Sequence, residues 1–305
     1  MSKASDMLKF LRKIIGNKTQ EPASGISRNA EGVVFENGIE VPQSPPFAKG
    51  IEVVSREALI ESQRELIDNI YGTLSLSRAD FDKIALPLIK RYAGWVHLLP
   101  ASEAHHHKTA GGLFRHGLEA AFFAAQASRG CVFGTGSTPT DRRNNEPRWR
   151  LAAMCAGLLH DIGKPLTDVV VTDRTGDIRW YPHLSMINEW ADENSITRYF
   201  LKWTDRRHKM HETFSAPMLG NIMTPEVMHY FFQGGPEIYA ALADAVCGLS
   251  AAKPLAKIMI KADQSSVAKD LRENRTSGTD FEYGLPIERF IFDAIRSMIN
   301  SGQWT

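Results

Sequence analysis

The sequence predicts a mostly α-helical protein with one small β-hairpin. Apolar residues recur at helical spacing, as Leu59, Leu66, Ile70 and Leu74 do. Capping residues and helix stops bracket those stretches. Only Thr167 to His183 reads as β structure: Val169–Val171 and Ile178–Trp180 flank the turn sequence Asp-Arg-Thr-Gly-Asp. With 305 residues, 43% of them apolar and 23% charged, the chain can bury a sizeable core as one large domain or one domain with appendages.

The elements follow in order. Leu8, Leu11, Ile14 and Ile15 have helical spacing, with Lys9, Arg12 and Lys13 between them. This reads as a short helix on a flexible tail, with contact to a membrane surface or a partner as the alternative. The cleavage site and long apolar region of a signal peptide are missing. Residues 16 to 50 hold four glycines before Val-Pro-Gln-Ser-Pro-Pro-Phe, a linker or a strapped extended segment. Ser55 reads as the N-cap of the next helix. Asp80 to Leu98 reads as a second helix, with a kink at Pro87.

Gly111-Gly112 then gives backbone freedom ahead of a helix whose packed side holds Leu113, Gly117, Ala120 and Ala124. His116 shares a face with Ala120 and Phe123, where small residues let a neighbouring helix approach. Gly130 to Pro147 reads as a polar surface loop. Arg148 to His160 reads as a strongly apolar helix stopped by Gly163 and Pro165. Helices resume from Leu184, and a later one carries Lys261 and Asp263. Residues 273 to 284 read as a loop and Pro286 to Ile299 as a last amphipathic helix.

Several function classes are excluded or weakened. No stretch approaches the roughly 20 apolar residues of a membrane span. Cys131, Cys155 and Cys247 form no Cys-x-x-Cys pair, which argues against a disulfide framework or thiolate zinc site and fits a reducing cytoplasm. Cys155, in an apolar helical run, reads as core. Net charge is +1, so no global field attracts nucleic acid. Local clusters exist: Arg142, Arg143, Arg148 and Arg150; Arg206, Arg207 and Lys209; and Lys253, Lys257 and Lys261 at i, i+4, i+8. Each alone is usually a solvated face; together they suit a phosphate-tracking surface. No Walker A loop, G-x-G-x-x-G or Ser-His-Asp elbow is found, so nucleotide-driven helicase action has no basis in this sequence.

The chemistry concentrates in four side chains in a fixed order: His116, then His160-Asp161, then Asp263. Two neutral imidazoles and two carboxylates can hold a divalent cation and leave positions open for water and substrate. Adjacent His160 and Asp161 point about 100° apart on a helix, so both reach one ion only at the helix end, where Gly163 and Pro165 place them. The plain alternative is a buried, hydrogen-bonded histidine and a helix-end aspartate. Lys164 follows just past that end, either meeting a substrate phosphate or solvated. His105-His106-His107 precedes the Gly-Gly hinge. These three suit a second ion, leaving-group positioning or phosphate contact, against a bland polar loop. His208 and His211 share a helix face, and His211 is the stronger candidate ligand. His97, His183 and His229 read as structural, with His183, beside the hairpin, also able to approach the cavity. Tyr92, Tyr181 and Tyr199 read as core or interface residues rather than nucleophiles.

The order His116, His160-Asp161, Asp263, with Gly-Leu-Leu-His-Asp-Ile-Gly-Lys-Pro around the pair, resembles the HD-domain superfamily of metal-dependent phosphohydrolases. More specifically, Tyr92 to Ala121, Glu146 to Leu166, Arg198 to Glu212 and Lys261 to Leu271 resemble the TraI-like, MobH-class relaxases of integrating conjugative elements and plasmids, over about residues 40 to 305. The resemblance places His105, His106 and His107 in a triple-histidine motif and His160-Asp161 in the HD motif. It implies an all-α, HD-domain-like helical bundle with a small β-hairpin insertion. The expected parts are a flexible segment 1–45, a helical part 46–100, an HD-type metal-binding core 101–270, and a loop and helix 271–305 leading to a further C-terminal domain.

It also implies a cytoplasmic DNA nickase. One or two divalent ions (manganese, iron, magnesium or similar) would sit on His116, His160, Asp161, His211 and Asp263, with His105, His106, His107 and Lys164 at the reacting phosphate. The implied partners are single-stranded or origin-of-transfer DNA and conjugation machinery proteins. The rival expectations are a nucleotide phosphohydrolase, which needs a closed pocket, and a non-catalytic DNA-binding or assembly module.

Overall fold

The computed structural model describes residues 50–103, 105–134, 138–204, 210–249 and 251–276, and the backbone of three short strands before them. Those strands, β1 (Ile26–Arg28), β2 (Val34–Glu36) and β3 (Ile39–Glu40), pair antiparallel in that order. The expected helices near the N-terminus and over Pro286 to Ile299 lie outside the described residues, as do Arg206, Arg207, His208 and Lys209.

The helical part opens as expected at Ser55, whose Oγ accepts the Ala58 N–H at 3.2 Å. It then breaks at Gln63 into α1 (Arg56–Ser62) and α2 (Arg64–Thr73). The expected helix over Asp80–Leu98 is α3 (Arg78–Asp80), a π-helical turn (Phe81–Ala85) and α4 (Leu86–Val96). Pro87 explains the turn: it lacks the N–H that would bond the Lys83 carbonyl, so the ladder widens just ahead of it.

The next helices are α5 (Gly112–Ser128) and α6 (Pro139–Leu159). The expected loop up to Pro147 is shorter than its composition suggested. Thr138 caps α6 by accepting the Asp141 N–H, and Pro139 takes the first helical position, where a missing N–H costs nothing. Pro147 therefore lies inside the helix. After α6 come α7 (Lys164–Thr167), α8 (Ile187–Glu193), α9 (Met210–Ile222), α10 (Pro225–Phe232), α11 (Pro236–Val246) and α12 (Pro254–Thr276).

The β insertion differs in detail from the expected hairpin. Its turn forms: Asp173 N–H donates to the Ile178 carbonyl and its carboxylate accepts the Ile178 N–H, each at 2.9 Å. The return arm is only a bridge between Thr172 and Arg179. The main partner of β5 (Val169–Thr172) is β6 (Arg198–Trp203), inside the stretch read as helical from Leu184 on. β6 also pairs with β4 (Ile51–Glu52), giving an antiparallel order β4-β6-β5. Tyr199, Phe200 and Leu201 are all buried, so β6 lacks the period-2 alternation that marks a strand in sequence.

One apolar core runs from Ile51 to Ala262, and α5 against α6 is its centre. A Cβ on Gly157 of α6 would lie 2.4 Å from the Ala120 carbonyl oxygen of α5. Only glycine permits that approach, and it sets His116 of α5 beside the end of α6. Among the described residues no helix is long and apolar enough to cross a membrane.

Candidate metal centre

The C-terminal end of α6 meets α5 and α12 at the four residues the sequence singled out. His116 Nε2 lies 3.1 Å from His160 Nε2. Asp161 Oδ2 is 3.5 Å from the first and 3.3 Å from the second. Asp263 Oδ1 is 3.3 Å and 3.6 Å from the same two atoms. Bonds of 2.0–2.2 Å to a common ion give ligand–ligand edges of about 3–3.6 Å in octahedral or tetrahedral geometry, so these separations fit a coordination shell. His116 is fully buried and Asp161 is 4% exposed. The Asp263 side chain keeps 37% of its surface, so the centre opens on the α12 side.

Hydrogen bonds fix which ring nitrogens are free. His160 Nδ1 lies 2.8 Å from the Gly157 carbonyl, which can only accept, so Nδ1 carries the proton and Nε2 a lone pair. The Ser266 hydroxyl donates its one proton to Glu119 Oε2 at 3.0 Å. His116 Nδ1 and His107 Nε2, each 3.0 Å from Ser266 Oγ, must then donate to it. His116 Nε2 is thereby also a lone pair. Two lone pairs facing each other at 3.1 Å between two carboxylates suit a cation placed between them.

The acid–base equilibria show the same demand. Burial opposes a charge on His160, but Asp161 and Asp263 outweigh it and push its pKa up to about 10. Burial would raise both carboxylates, but His160 and Lys164 hold Asp161 well below the usual range, and His116 and His160 do the same for Asp263. A proton thus takes the central place when no metal does.

The triplet divides into three environments. His105 is exposed, and its N–H donates to Ser102 Oγ. His106 is half-buried with its ring centroid 5.1 Å from that of His116. Burial first, then His116 and Lys164, push its pKa down to about 3. His107 is 4% exposed. Its N–H donates to Asp270 Oδ2 at 2.8 Å and its Nε2 holds Ser266. Its φ of +47°, unusual for a side chain with a Cβ, is held by those partners. Burial, followed by His116, lowers its pKa to about 4. His106 thus stands over the centre, whereas His107 braces His116 through Ser266.

Lys164 Nζ lies 2.7 Å from Asp161 Oδ2 and donates to the Ala101 carbonyl at 2.9 Å. His211 enters from α9, with Nε2 3.6 Å from the other Asp161 oxygen and a buried Nδ1 that has no hydrogen-bond partner among the described residues. Asp161 therefore has one oxygen toward His116 and His160 and the other toward His211.

Of the remaining candidates, His97 is buried against Tyr199, His229 bonds Gln233, and His183 lines a separate cleft. Tyr92 and Tyr199 are fully buried, while Tyr181 is 46% exposed. Arg148 is engaged by the Tyr230 carbonyl and ring and Arg150 by Glu146 and Ser75, so neither is free to track phosphates.

Sequence reasoning missed Glu119, Ser266 and Asp270. Glu119 is 1% exposed and held by Arg115, Lys269 and Ser266. The signal was present: Glu119 follows His116 by three, and Ser266 and Asp270 follow Asp263 by three and seven, which puts each set on one helix face.

The fold and site define a class: a helical protein with a buried histidine–aspartate cluster of metal-binding geometry, in which His116, His160 and Asp161 can hold an ion. Residues 50–305 match the model of the TraI_2 family, described as "putative helicase", and the chain belongs to that family. No curated protein matches it.

Proposed function

We propose that this chain is a relaxase-type DNA-processing domain of conjugative transfer that cleaves a phosphodiester at an HD-type metal centre. The observation that carries this reading is the pair of imidazole lone pairs 3.1 Å apart between two carboxylates. Membership of the TraI_2 family supports DNA and conjugation proteins as partners. The word helicase in the family description fits less well, because the sequence has no phosphate-cradling Walker loop.

His116, His160, Asp161 and Asp263 would hold the ion. His211 and the second oxygen of Asp161 would serve a second one. A divalent ion there supplies charge for the phosphoryl oxygens and lowers the pKa of the attacking group. The remaining work falls to the chain. Asp161 and Asp263, kept ionised, retain the ion at neutral pH. His106, kept neutral by burial, can accept a hydrogen bond from the attacking group at the open face. Lys164 can pass from Asp161 to a non-bridging phosphate oxygen. Burial of His116 and His160 excludes water from the inner side.

The test is cleavage of a labelled single-stranded origin-of-transfer oligonucleotide by the manganese-loaded protein, with metal content read in parallel. Asp161→Ala is expected to lose its metal and at least about 1000-fold in cleavage rate. Retained metal in that variant sinks the site assignment. Turnover of small nucleotides with no strand cleavage moves the reading to a nucleotide phosphohydrolase. Metal binding with neither activity moves it to an assembly module.

A further inference from the structure

A second polar surface lies behind the metal turn and plays no part in the site above. Arg56, Lys90, Arg91, Pro182, His183 and Asn221 line an open cleft of about 630 Å³. Lys90 and Arg91 are exposed on α4, and neither has a carboxylate partner among the described residues. Arg56 lines the same wall, with its Nε packed against Gly94 of α4. The one carboxylate in the lining, Glu189, is occupied as the N-terminal brace of α8, accepting the Met186 N–H at 3.0 Å. Three cations thus face one committed carboxylate.

The rim adds aromatic surface. Arg179, Tyr181 and His183 form a ladder of alternate residues. The guanidinium lies 5.2 Å from the Tyr181 ring centroid, and the Tyr181 and His183 centroids are 6.0 Å apart. Tyr181 is 46% and Leu184 74% exposed. Unpaired cations beside exposed rings form the surface that takes a polyanion with stackable bases: cations track phosphates and rings take base faces without reading sequence. The cleft also touches the metal turn. Its wall residue Trp95 donates its indole N–H to the Ile162 carbonyl, one residue past Asp161. α9 carries His211 at one end and Asn221 at the other, about 15 Å along the helix.

We infer that this cleft holds single-stranded DNA, with Arg56, Lys90 and Arg91 on its phosphates and Tyr181 and His183 against its bases. The inference rests on the DNA-processing reading but names a surface independent of the metal.

The experiment measures binding of a labelled oligodeoxythymidylate to the full chain from about 50 to 200 mM salt. Lys90→Ala/Arg91→Ala is expected to flatten the slope of log K against log salt by about 1.4, the value for two phosphate contacts on a single strand. Tyr181→Ala is expected to weaken binding about fivefold or more with the slope unchanged. All three side chains are exposed, and an unchanged melting temperature with Lys90→Glu as a second variant guards against misfolding. A wild-type slope in the cleft double variant overturns the inference and leaves the relaxase reading standing. So does a loss confined to Lys257→Ala/Lys261→Ala, which puts the strand on α12 instead. A wild-type protein that binds no strand overturns both readings. Strand binding at the cleft without metal-dependent cleavage upholds the inference and overturns the relaxase reading alone.

Discussion

The candidate metal end and the cleft behind it are built on opposite principles. At the metal end the acidic side chains already have partners. Glu119 is held by Arg115, Lys269 and Ser266, while Asp270 holds the His107 N–H and Asp161 holds Lys164. At the cleft, Arg56, Lys90 and Arg91 have found no carboxylate partner among the described residues. A buried centre must aim its donor atoms within a fraction of an ångström, so it needs a rigid surround. A surface for a flexible polyanion gains from charges still free to turn toward it. The same helices serve both, with Trp95 of α4 spanning the two through the Ile162 carbonyl.

Substitutions can break or sharpen that contrast. The largest expected effect is that of Gly157→Ala. Its new methyl group would meet the Ala120 carbonyl at 2.4 Å, and backbone cannot turn aside as a side chain can. Destabilisation of about 3 kcal/mol or more is expected in denaturant unfolding, with loss of metal binding as His160 moves from His116. Lys90→Ala, on the exposed face of the same fold, should stay within about 0.5 kcal/mol of wild type. Equal costs would mean that the metal end is no more tightly packed than the cleft.

Ser266→Ala comes next. It removes the acceptor that keeps the His116 proton on Nδ1, so His116 Nε2 is no longer fixed as a lone pair. Metal affinity is expected to fall about 10–100-fold, with oligonucleotide binding unchanged. Competition with a metal indicator reads this, and unchanged affinity would show that the tautomer is set elsewhere.

The smallest effect is a pH dependence of stability at His97. This side chain is fully buried, with Nδ1 3.0 Å from the Tyr199 hydroxyl. Burial lowers its pKa to about 4 from an ordinary 6.5. The unfolded chain therefore binds the proton more readily, and stability present above pH 6.5 drains away as pH falls toward 4. His106 and His107, also lowered, act in the same direction. His160 is raised, so in the metal-free protein its contribution is already complete below pH 6.5 and adds no slope there. Metal-free protein should melt at progressively lower temperature as pH falls through that window, and His97→Gln should flatten part of the fall. A variant with the wild-type slope would assign the whole effect to the two triplet histidines.

Much was legible in the chain before it folded. The helical character followed from apolar spacing, the Ser55 cap from residue type, and the grouping of His116, His160, Asp161 and Asp263 from their recognisable settings. Those features are local: a cap acts within three residues, a helix face repeats within four, and His160-Asp161 at a helix end announces itself. The tertiary structure alone decided the rest. β6 took its partners from β4 and β5, which are far away in sequence, so the Val169 segment had no need of the hairpin arm beside it. The histidine triplet separated into an exposed, a half-buried and a buried residue because Asp270 and Ser266 on α12 capture His107 alone. Arg148 and Arg150 left the phosphate-tracking set because Tyr230 and Glu146 reached them first. The cleft cations came together from α1 and α4, with an aromatic rim from the segment after β5. Pairings across such distances in sequence are fixed by how helices pack around a glycine contact and which charges that packing buries, and no window along the sequence carries that information.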